Sequence, residues 1–86
     1  PLDMLGKLKE YFDTVPEIQK AYLNGIKAND EDGFLVILEL SEKMDVRQFG
    51  EAVSGITKEY GSVVVAPTDS PLGEKAIEGK APFYEA

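Results

Sequence analysis

Apolar residues recur at helical spacing over Leu2–Phe12, where Leu5, Leu8 and Phe12 form a stripe flanked by Met4 and Tyr11. The run Asp13-Thr-Val-Pro-Glu17 interrupts it. Thr14 and Glu17 have the spacing of a capping box, and Pro16 is tolerated in a first turn. The pattern therefore predicts a second helix to about Lys27, burying Ile18, Tyr22 and Ile26, with Ala21 and Gly25 allowing close packing. Asn29-Asp-Glu-Asp-Gly33 reads as a turn. Phe34-Leu-Val-Ile-Leu38, followed by Glu39 and Leu40, is apolar on both faces, as in a strand covered on both sides.

After a connector at Ser41–Met44, Asp45 with Gln48 can cap a helix. Val46, Phe49, Val53, Ile56 and Tyr60 follow at steps of three and four, the strongest helical stripe in the chain. Gly61 is a natural stop. Ser62-Val-Val-Val-Ala66 predicts a second short buried strand, ended by Pro67. Ser70 then caps a last helix with Pro71 in its first turn, Gly79 stops it, and Pro82 prevents continuation before Phe83 and Tyr84. The predicted order is α-α-β-α-β-α.

This order predicts one α/β domain over residues 1–86, with α+β as the alternative. At its centre is a small sheet with a parallel strand–helix–strand crossover of right-handed sense. Two doubly buried strands make a poor sheet alone. A third strand is expected from upstream of Pro1 or from another copy, so the chain reads as part of a longer protein.

Charge narrows the partners. Sixteen acidic against nine basic residues give a net charge of −7, which repels phosphate backbones, disfavours nucleic acid and keeps the surface soluble. A basic protein partner suits it. No apolar run approaches the roughly 20 residues of a membrane span, and no signal-peptide pattern opens the chain. Cysteine and histidine are both absent, which removes disulfides, thiolate sites and the commonest general base and metal ligand. No cofactor, metal or catalytic residue is assigned, and the chain is not expected to be an enzyme.

Five features are candidates for a site. Read as a calcium loop from Ala28, the acidic turn puts Asp30, Asp32, Gly33 and Glu39 at the third, fifth, sixth and twelfth positions. The first position lacks its carboxylate and the following run reads as a strand, so turn chemistry explains the same residues. Glu39 ends a buried strand, where α/β folds place ligand clefts; with Asp69, Leu40 and Pro67 it marks a candidate cleft. Ser70 and Lys75 are a poor nucleophile pair, since five helical residues turn them apart by about 500°. Arg47, the chain's only arginine, is a candidate contact for an acidic partner or carboxylate ligand, against the plain reading of a solvated charge. Phe83 and Tyr84 either dock into a groove of their own domain or present an apolar patch to a partner.

The order of elements and four segments resemble the C-terminal domain of the bacterial SseB proteins, named for enhanced serine sensitivity. The segments are Pro16-Glu-Ile-Gln-Lys-Ala-Tyr-Leu23, Phe34–Leu40, Asp69-Ser-Pro-Leu-Gly73 and Ala81-Pro-Phe-Tyr84. The resemblance covers nearly all of the chain. It implies a small α/β module, often following a second SseB domain, with no established catalytic residues and with a segment before Pro1. The expected function is a non-enzymatic protein-interaction or regulatory module in the cytoplasm. One alternative is a small acidic inhibitor, of the immunity type, that binds a basic enzyme. The other is a small-ligand binder or enzyme using the strand-end cleft.

Overall fold

The computed structural model describes residues 2–28, 31–42 and 44–86; the side chains of residues 2, 26–28 and 31–32 lie outside the description. Helix α1 (Leu2–Asp13) leads into strands β1 (Ile18–Ala28) and β2 (Glu31–Leu40). A 3-10 turn (Val46–Phe49) and helix α2 (Gly50–Thr57) cross to strand β3 (Ser62–Pro67), and helix α3 (Pro71–Ala76) and the short strand β4 (Tyr84–Glu85) follow. The sheet order is β3-β2-β1-β4. β2 pairs antiparallel with β1 and parallel with β3, so the sheet is mixed and the fold is α/β.

The predicted second helix over Thr14–Lys27 is instead β1. Thr14 does not cap a new helix but closes α1, its Oγ1 donating to the Tyr11 carbonyl at 2.6 Å. Two forces favour the strand. Gly25 costs about 1 kcal/mol relative to alanine inside a helix. The apolar β2, moreover, needs a partner on its second edge, and β1 supplies one along a register from Ile18↔Leu40 to Ala28↔Glu31. The third strand expected from upstream or from another copy is thus a segment of this chain, and the order becomes α-β-β-α-β-α-β.

One face of the sheet carries the main core. Met4, Leu8 and Phe12, one helical turn apart on α1, are fully buried against Ile18, Ala21, Val36 and Leu38. Leu5, expected in that stripe, is only half-buried. Val46, Phe49 and Val53 close the same core from the crossover. Each such side chain contributes about 1.5–3 kcal/mol by leaving water. On the opposite face, Leu35, Ile37 and Ala66 form a smaller cluster against Tyr22, Ala76 and Ile77. β2 is therefore covered on both sides, as its continuous apolar run predicts.

β3 departs from the prediction of a buried strand. It lies at the edge of the sheet, and Val64 is 47% exposed. Ser70 caps α3 as predicted, its Oγ accepting from the Gly73 N–H at 3.0 Å. Gly79 sits past the end of α3 at φ 74°, in a turn closed by the Lys80 N–H on the Ile77 carbonyl at 2.9 Å. Among the described residues no helix is long and apolar enough to cross a membrane.

Candidate functional site

The parallel strands β2 and β3 end side by side, and the chain leaves both at the same rim. The Thr68 N–H donates to the Leu38 carbonyl at 3.2 Å, and the Ser41 N–H to the Glu17 carbonyl at 2.8 Å, which fixes the two departing loops. Between them opens a cleft of about 400 Å³, lined among others by Glu39, Leu40, Glu42, Met44, Pro67 and Asp69. Glu39 and Asp69, singled out from sequence, therefore share one cleft with Leu40 and Pro67. Glu42 adds a third carboxylate. The strand register also sets Lys20 beside Glu39 and Glu85, a cross-strand arrangement of opposite charges.

Arg47 lies elsewhere. The carboxylate of Asp45 accepts from Arg47 Nε at 2.9 Å and from its terminal nitrogen at 2.7 Å, and also from the Arg47 backbone N–H at 2.9 Å. These hydrogen bonds hold the Asp45 carboxyl below its usual range and push the Arg47 guanidinium up. Asp45 thus serves as the cap of the 3-10 turn and as the partner of its arginine. Both side chains are exposed, so the pair adds little stability.

A second opening adjoins the cleft, meeting it at Met44 and Pro67. It is a groove of about 380 Å³ lined by Val64–Pro67 of β3, by the start of the 3-10 turn with Met44 and Asp45 before it, and by Ser70 and Leu72. Among the described residues, Val64 and Leu72, which line it, are the large apolar side chains left most exposed, at 47% and 53%. Reading along the sequence missed both. Val64 sits in a run that reads as fully buried, and its exposure follows from the strand order, not from its neighbours in the chain.

Phe83 and Tyr84 belong to the core side. The Tyr84 ring lies 5.3 Å from that of Phe12, and its hydroxyl donates to Asp13 Oδ1 at 3.2 Å. Burial, then the Asp13 carboxylate, raises the Tyr84 pKa. Phe83 is half-buried, 6.1 Å from Phe12, and its backbone N–H donates to the Ala21 carbonyl at 2.9 Å. This ending docks into its own domain, and Tyr84 offers a partner little surface.

The calcium reading loses its geometry. Asp30 lies outside the described residues, as does the side chain of Asp32. The segment after them is β2, in which Glu39 stands seven extended residues from Asp32, roughly 23 Å away. Among the described residues no group of three or more carboxylates is placed to hold a metal ion.

These features define a small α/β domain with a mixed sheet, an acidic cleft at the end of its parallel strands and an apolar groove along one edge. The family model of the SseB protein C-terminal domain matches residues 1–86, the whole chain, and the chain belongs to that family. Comparison with curated proteins and with solved structures gave no match.

Proposed function

We propose that this domain is a non-enzymatic protein-interaction or regulatory module of the cytoplasm, and the structure favours the interaction side of that pair. The observation that carries the reading is the groove beside β3. It leaves Val64 and Leu72 half in water next to an unpaired strand edge, a surface that a protein partner would cover. The net charge of −7 supports a basic partner, which is also the chemistry an acidic inhibitor would use. The experiment is photo-crosslinking in the native cell from a benzophenone side chain at position 72, compared with one at the distant exposed Lys9. Crosslinks to one protein from position 72 and not from Lys9 are expected. Equal labelling from both positions overturns the reading.

A second reading has one observation in its favour: Glu39, Glu42 and Asp69 line a cleft large enough for a small cation such as a polyamine. A rise in melting temperature with spermidine, abolished by Asp69→Asn, would favour that reading.

A further inference from the structure

The edge of β3 carries more than exposed apolar area. The Thr68 N–H points inward to the Leu38 carbonyl, and strand groups alternate in direction. Ala66 and Val64 therefore also point toward β2, in agreement with the register Val64↔Leu35 and Ala66↔Ile37. The N–H and C=O groups of Val63 and Val65 then point outward, and among the described residues neither N–H finds an acceptor on that side. Pro67 takes the next outward position, where its missing N–H costs no ladder bond, and its carbonyl accepts from Ser70 Oγ at 2.9 Å.

Sheets usually guard such an edge with lysine, proline, a bulge or brevity. β4, at the other side, is only two residues long. β3 has six residues, none of them charged, and its bonding to β2 runs without a register shift. Pro67 guards its last outward position, and the edge at Val63 and Val65 is left open beside an apolar groove.

Charge decides what fits there. Inside the groove Arg47 is tied to Asp45, so the walls are close to neutral. At the Pro67 end the groove runs into the cleft, whose described lining has three carboxylates, Glu39, Glu42 and Asp69; Lys20 stands beside Glu39 across the strand pair, so Glu42 and Asp69 carry the excess negative charge. A second copy of the chain would bring another charge of −7 to the same edge and a second Pro67 without a donor, so it fits poorly.

We propose that β3 accepts an extended segment of a partner protein as a fifth strand. That segment is apolar and β-branched through its middle and carries lysine or arginine at the end lying beside Pro67. Its backbone bonds Val63 and Val65, its side chains cover Val64 and Leu72, and its cation enters the cleft of Glu39, Glu42 and Asp69. This rests on the interaction reading above and names the partner's chemistry at that site.

The test is selection from a random display library of peptides of roughly ten residues, enough to span the strand's length of about 20 Å. Enrichment of alternating apolar sequences with a terminal basic residue is expected. The enriched peptide should protect the Val63 and Val65 amides from hydrogen exchange. It should bind about tenfold more weakly to the Glu42→Lys/Asp69→Lys variant, whose two substitutions are at exposed positions. Val64→Lys, also on the exposed edge, should weaken binding without changing the circular dichroism spectrum. No enrichment, enrichment of acidic sequences, protection at another surface, or concentration-dependent dimerisation through Val63 and Val65 each overturns the proposal. Specific crosslinks from position 72 with no protection at Val63 and Val65 would sink the strand site and leave the interaction reading standing. Equal labelling from positions 72 and 9 would overturn the interaction reading and the strand site with it.

Discussion

Gly73 and Tyr84 show how single residues bind the end of this chain to its sheet. A Cβ built on Gly73 would strike the Pro67 carbonyl, closer than any real Cβ contact, and would crowd Ser70 Oγ. The carbonyl belongs to the strand end and cannot move aside as a flexible side chain would. Gly73→Ala is therefore expected to lose about 1–3 kcal/mol, although alanine is the better helix former. Urea denaturation of the two proteins measures this; an unchanged or raised midpoint would show that α3 can shift off β3. Tyr84 acts through its protonation. Its pKa is raised above the ordinary value of 10.0 by burial and by Asp13, so the folded state holds the phenolic proton after the unfolded chain has begun to release it. That contribution is complete below pH 10 and is lost as pH rises through the folded pKa. Tyr84→Phe is expected to lose stability less steeply than the natural chain above pH 10. Tyr11, also raised by burial, remains in both and leaves a shared residual slope. Melting curves at stepped alkaline pH provide the comparison.

Among the elements, β1 separates what is written locally from what is not. The stripe Val46–Tyr60, the apolar run of β2 and the Ser70 cap are local signals, and each points to the right kind of element. β1 answers to a distant need. Ile18-Gln-Lys-Ala-Tyr-Leu23 suits either period, and the unpaired edge of β2 decides it. The exposure of Val64 is illegible for the same reason, since an edge position depends on which strands take the centre. The cleft is half legible. Glu39 stands near the end of β2 and Asp69 just past the end of β3, so the topology joins them, whereas the direction of Arg47 depends on the Asp45 carboxylate two residues away. Asn24 links β1 to the end of α3 and the segment beyond it: its Nδ2 donates to the Ala76 carbonyl at 2.8 Å, and Lys80 Nζ donates to its Oδ1. Asn24→Ala leaves that half-buried carbonyl unpaired and is expected to cost about 1–2 kcal/mol. Faster hydrogen exchange across residues 76–83 should accompany the loss. Uniform acceleration over the whole chain would instead mean that Asn24 supports global stability without holding this segment.

At the scale of the whole molecule, charge sets the response to solution conditions. Sixteen carboxylate side chains and nine cations share a small surface, and among the described residues the one ion pair within reach is Asp45–Arg47. Salt screens attraction and repulsion alike over a Debye length of about 10 Å at 0.1 M. Here there is little attraction to lose, because an exposed pair of that kind is worth at most about 1 kcal/mol. There is more repulsion to relieve, since folding concentrates the net −7. Raising sodium chloride from about 0.02 to 0.5 M is therefore expected to raise the melting temperature by several degrees, in line with the 4–8 °C that about 1 kcal/mol gives a domain of this size. Melting followed by circular dichroism checks this in a chain without tryptophan. The Glu42→Lys/Asp69→Lys variant carries a net −3 instead of −7, because each change moves the charge by two. Its gain with salt should be smaller. A melting temperature that falls with salt in the natural chain would mean that attraction prevails on this surface, and the cleft would then be less hospitable to the cation proposed for it.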